Sequence, residues 1–98
     1  MVKPDKLLEA VSHVTQLPES EIVSPSRLWP LVQALMLFVL YASRNGCRDS
    51  FSTSPLHRAR PTIFAIRRSA RNYIAMSVSF QERYNQVAEY YESCAQSV

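Results

Sequence analysis

Ninety-eight residues, 47% of them hydrophobic, fit one small domain (1–98) with a single core. A lone glycine argues against a phosphate-cradling loop and against a β fold rich in tight turns. The formal net charge is only +3, but residues 44–71 hold seven arginines against one acid, Asp49, while the remainder is net negative. That asymmetry points to an anionic partner for the middle of the chain.

The opening residues are polar and charged and read as no signal peptide. Residues 4–15 predict a first helix, with Leu7, Leu8, Val11 and Val14 on one face and Asp5 in the first turn. His13 lies on the polar flank and reads as a surface residue with no metal partner in view. Pro18, Glu19 and Glu21 mark the first turn of a short helix ending by Val23, and Ser24-Pro25-Ser26-Arg27 follows as a loop.

Pro30 opens a long helix to about Arg44 that leaves almost no polar face, so it should be central or hidden in a protein contact. Its apolar run 28–42 would span roughly 22 Å at about 1.5 Å per residue, short of the roughly 30 Å hydrocarbon core, and reads as a core helix with no membrane role. Asn45-Gly46 ends it. Residues 47–57 are poor in helix formers and predict at most a short helix, anchored by Phe51 and Leu56.

The main helix is expected over 61–76. Ile63, Ile66, Ala70, Tyr73 and Ile74 recur at helical spacing, and Pro61 suits the first turn. Arg58, Arg60, Arg67, Arg68 and Arg71 crowd its start and outer face without an acid among them. A helix N-terminus also favours phosphate. Ser79-Phe80-Gln81-Glu82 reads as a capping box opening a last helix, with Phe80, Tyr84, Val87, Tyr91 and Cys94 on its apolar stripe and Tyr90 at the edge. The fold class predicted is all-α, with about six helices, two of them short.

Taken in this order, the chain resembles the C-terminal DNA-binding domain of the bacterial replication initiator DnaA, a helix-turn-helix domain related to the Trp repressor. The resemblance covers about 7–84. L-L-E-A-V-S-H-V-T-Q-L-P-E-S-E-I-V-S-P-S-R is similar to the family's first two helices and basic loop, and V-Q-A-L-M-L-F-V-L-Y-A at 32–42 to its central helix. R-A-R-P-T-I at 58–63 stands where the family has R-D-H-S/T-T-V. Arg58 and Thr62 match that signature; Ala59, Arg60 and Pro61 replace the Asp, His and Thr that read bases. Leu35 and Met36 stand where the family carries an Arg-Gln pair whose arginine enters the minor groove.

The resemblance implies a non-catalytic, cytoplasmic binding domain for duplex DNA without a cofactor, in replication initiation as in the family, or else in plasmid or phage biology or transcription. Arg58, Arg60 and Thr62 are expected at the major groove, Arg48, Arg67, Arg68 and Arg71 as phosphate contacts or helix-surface charges, and Arg27 among the DNA-binding residues. The altered base-contact positions imply loss of initiator-site specificity. The alternative is a protein-interaction module on the same scaffold, with Leu28, Trp29, Leu31, Leu35 and Met36 as an apolar patch for a partner or a second copy. Burial of Trp29 in the core would remove that patch. Enzymatic activity is not expected, because neither His13 nor His57 sits in a catalytic or metal motif. Cys47 lies near Arg44 and Arg48, which can lower a thiol pKa, but no base accompanies it. Cys47 and Cys94 form no metal-binding spacing and fit a reduced, intracellular setting.

Overall fold

A computed structural model describes residues 2–96. The domain read as 1–98 thus extends at both ends beyond the described residues. Six helices follow one another: α1 (Pro4–Thr15), α2 (Glu19–Ile22), α3 (Trp29–Arg44), α4 (Asp49–Leu56), α5 (Arg60–Met76) and α6 (Val78–Gln96). No strand occurs among the described residues, so the all-α expectation holds.

α3 is the hub. Ala34 to Tyr41 are buried without interruption, and Leu37, Phe38 and Ala34 have no exposed surface. A helix apolar on every side needs neighbours on every side, and α3 packs against α1, α2, α4, α5 and α6. Burying a side chain such as Phe38 contributes on the order of 1.5–3 kcal/mol. α1 presents Leu7, Ala10 and Val11 to this core, and α6 closes over it with Phe80, Val87 and Tyr91. The two ends of the chain are tied where the Lys3 N–H donates to the Tyr91 hydroxyl, 2.8 Å.

The helix ends follow local chemistry. Gly46 takes φ +86°, the left-handed value that suits glycine. There the Cys47 N–H reaches back to the Ala42 carbonyl and the Gly46 N–H to that of Ser43, closing α3. α4 forms despite its serines because Leu56 is fully buried and Phe51 packs against the core. It ends with His57 in the left-handed region and the Arg58 N–H on the Thr53 carbonyl.

The start of α6 differs from expectation. Ser79 is not its cap: α6 begins at Val78, and Ser77 Oγ accepts the Phe80 N–H at 3.2 Å. α5 runs as far as Met76, so a single residue separates the two helices, and Ser79 already lies inside the first turn. Gln81 Nε2 donates to the Ile74 carbonyl, 2.7 Å, covering one of the open acceptors at the end of α5.

Among the described residues, no helix is long and apolar enough to cross a membrane.

Candidate nucleic-acid interface

α4 and α5 are joined by residues 57–59 and pack on each other, a helix, a short turn and a second helix lying over α3. At about 100° per residue, α5 divides into three faces. Ile63, Ile66, Ala70, Tyr73 and Ile74 point to the core. Arg60, Phe64, Arg67, Arg68 and Arg71 form a second stripe, and Thr62, Ala65, Ser69 and Asn72 a third.

The arginines of the second stripe are not equivalent. Arg60, Arg68 and Arg71 are exposed. Arg67 is not available in the same way: Nε donates to Asp49 Oδ1 at 2.8 Å and Nη2 to Oδ2 at 3.2 Å. This is the one ion pair among the described residues. The carboxylate pushes the Arg67 pKa above its already high ordinary value. The Arg67 guanidinium also lies 5.0 Å from the Phe64 ring centroid. Arg67, expected as a phosphate contact or a helix-surface charge, is thus engaged by the sole acid of the basic segment.

Arg58 is engaged more fully. It is half-buried. Nη1 donates to the carbonyls of Leu56 (2.9 Å), Val23 (3.2 Å) and His57 (3.3 Å), and Nη2 to that of Ser24 (2.5 Å). Such charge-assisted bonds to otherwise open carbonyls are among the stronger ones in proteins. A guanidinium committed in this way positions the turn before α5. Its anchoring draws the loop after α2 against the start of α5. Arg27, Arg58 and Thr62 thereby line one cleft of about 370 Å³, with His57 beside them.

Thr62 is exposed at the start of α5, and Arg27 is exposed on its loop. Arg48 is exposed at the N-cap position of α4, and it lines neither the cleft nor the concavity described next. Ala59 is the N-cap of α5 and no side chain caps that end, so the Arg60 and Thr62 N–H groups have no side-chain acceptor. Arg67, Arg68, Arg71, Phe64 and Asn72 line a shallow concavity of about 460 Å³. Arg71 also shares a depression with Arg44, a residue the sequence did not single out for DNA binding. Arg44 sits over the Tyr84 ring, 5.0 Å from its centroid. Burial raises the Tyr84 pKa, while Arg44 opposes that shift.

The apolar patch expected at Leu28, Trp29, Leu31, Leu35 and Met36 divides in two. Leu28 and Trp29 are exposed, 67% and 53%. Leu31, Leu35 and Met36 are buried, Leu35 at 3% and Met36 at 2%, because they lie farther along α3 where α5 covers the helix. Trp29 is therefore not a core residue: its ring stands edge-on to Tyr73, centroids 5.5 Å apart. His13 is exposed and stacks on Tyr90 at 4.2 Å. Burial pushes the Cys47 thiol pKa up, the reverse of the activation that nearby arginines would give.

Compared with protein-family models, with curated proteins and with solved structures, the chain matches none.

Proposed function

We propose that the chain is a non-catalytic, DNA-binding helix-turn-helix domain, related to the C-terminal domain of the DnaA initiator but without its site specificity. The observation that carries the reading is the stripe Arg60, Arg68 and Arg71. These three exposed arginines, with no acidic partner among the described residues, run about 16 Å along the outer face of α5. A cationic stripe of that length on the second helix of a helix–turn–helix suits duplex phosphates.

Arg27 and Thr62 extend the surface to the start of α5, and Arg48 adds charge on α4. Arg58 serves by holding the α2–α3 loop in place, and Arg67 by fixing α5 to α4. The sequence resemblance over 7–84 supports the same reading. Base reading falls to Arg60 and Thr62, since Ala59 has no polar side-chain atom and Leu35 is buried. Affinity on this account is mostly electrostatic.

The test is binding of the whole chain to random-sequence duplex at several salt concentrations. The expected result is saturable binding at low salt that weakens linearly on a log–log plot. Each neutralised phosphate adds about 0.9 to the slope. Absence of binding to any duplex at low salt would overturn the reading.

A further inference from the structure

The third face of α5 carries a different surface. Thr62, Ala65, Ser69 and Asn72 are exposed yet small and uncharged, where a solvated helix face ordinarily carries long charged residues. Their small size leaves a trough of about 450 Å³ between α5 and the start of α3. Trp29, Tyr73 and Met76 wall it, and Val32, Met36 and Ile66 line it below. Met76 is 78% exposed and Trp29 53%. Gln33 Nε2 donates to the Tyr73 hydroxyl at 3.3 Å, and Tyr73 in turn meets the Trp29 ring edge-on. The aromatic wall is therefore held in place before anything occupies the trough.

Charge at the rim identifies the occupant. The trough continues at one end into the cleft that exposed Arg27 borders, sharing Val32, Thr62 and Ile66 with it. Across Asn72 it adjoins the concavity of Arg68 and Arg71. Among the described residues, no Asp or Glu lines the trough or either neighbour. An apolar trough bordered on two sides by arginines complements a segment with apolar anchors on one face and carboxylates beside them.

We infer that this trough docks an acidic amphipathic segment of a partner protein, whose apolar side chains fill the space beside Trp29 and whose carboxylates meet the rim arginines. The trough lies beside the DNA-binding stripe, sharing Thr62 with the proposed DNA surface, and the inference does not depend on that reading. Because Arg68 and Arg71 border both surfaces, an acidic segment and duplex DNA compete where both bind.

Trp29 is the only tryptophan in the chain and reports occupancy directly. The probe is a synthetic tryptophan-free helix with leucine and phenylalanine along one face and glutamate elsewhere, titrated into the whole chain. The expected result is a saturable blue shift of Trp29 emission. A counterpart with lysine in place of every glutamate should bind at least about tenfold more weakly, as like charges meet. Ala65→Glu should weaken the acidic probe at least about tenfold for the same reasons, with helical content unchanged. Ser69→Glu serves where Ala65→Glu does not fold.

Equal binding of the two probes, or unchanged binding by a folded Ala65→Glu or Ser69→Glu variant, would overturn the proposal. So would the absence of any emission shift up to the solubility limit of the acidic probe. Sedimentation that shows the chain pairing with itself, abolished by Ala65→Glu, would give the trough to a second copy and also overturn it.

Discussion

Arg58, on the turn before α5, donates from Nη2 to the carbonyl of Ser24, 34 positions earlier on the loop after α2. The residue two places later, Arg60, is exposed and has no acidic partner among the described residues. Two arginines in one motif thus have separable roles. Arg58→Ala should destabilise the fold by about 2 kcal/mol, since it strips a charged donor from several carbonyls. Arg60→Ala should leave stability within about 0.5 kcal/mol and weaken duplex binding. Urea unfolding and a binding titration on both variants separate the two. Equal stability losses would contradict the division of roles.

Asp49 pairs with Arg67 within the basic stripe. Asp49→Asn should remove the bidentate ion pair, whose side chains are 22% and 18% exposed, and lower stability by about 1 kcal/mol. It should also release a positive charge, tightening non-specific duplex binding and steepening its salt dependence by up to about 0.9. A flatter salt dependence in the folded variant would count against Arg67 lying beside bound phosphate.

Replacing Arg60, Arg68 and Arg71 together with glutamine should leave helical content unchanged, because all three are exposed on one stripe. The salt slope for duplex binding should fall by about 0.9 for each phosphate that an arginine no longer neutralises. Circular dichroism checks the first part and binding at several salt concentrations the second.

Specificity should be weak. Good base contacts are worth about 1–3 kcal/mol each, and on the proposed resemblance Ala59, Pro61 and Leu35 stand where the initiator family makes three of them. Leu35 is 3% exposed and packed in the core, so its side chain cannot enter a minor groove. Competition at near-physiological salt between a duplex bearing the initiator site and a scrambled duplex should show less than about a tenfold preference. A preference of about a hundredfold or more would show that the base-contact positions were misaligned.

Stability should fall in strong alkali. Burial raises the Tyr41 pKa from 10.0 to about 12, with the Glu92 carboxylate adding to the shift. A phenol whose folded pKa is raised holds its proton more tightly in the folded state. Its contribution is fully present below about pH 10 and is lost as pH rises towards about 12, by on the order of 2 kcal/mol. Urea midpoints between pH 9 and pH 11.5 test this, and Tyr41→Phe should make the decline shallower.

Periodicity and end chemistry made the helices legible in the sequence. Leu7 and Val11, the unbroken apolar run of α3, and Ile63, Ala70 and Ile74 each encode a buried face within their own segment. Gly46 encodes an ending in one residue. These are local properties, and tertiary packing preserved them. The cap at Ser77 was less legible, because Ser77 and Ser79 are both serines just past the end of α5, and only the backbone path shows that Ser77 Oγ accepts the Phe80 N–H.

The character of the surface was settled elsewhere. Five arginines around Pro61 look alike in sequence. Only the folded chain brings the Ser24 carbonyl to Arg58 and the Asp49 carboxylate to Arg67, leaving Arg60, Arg68 and Arg71 to solvent. Asp49 was the one available hint, as the single acid among seven arginines in residues 44–71. Trp29 is equally apolar whether buried or exposed. Its place at the first turn of α3, before α5 covers the helix, left half of its surface outside. Apolar spacing reports which face of a segment turns inward, while the freedom of a charge and the exposure of a ring depend on what distant segments bring to them.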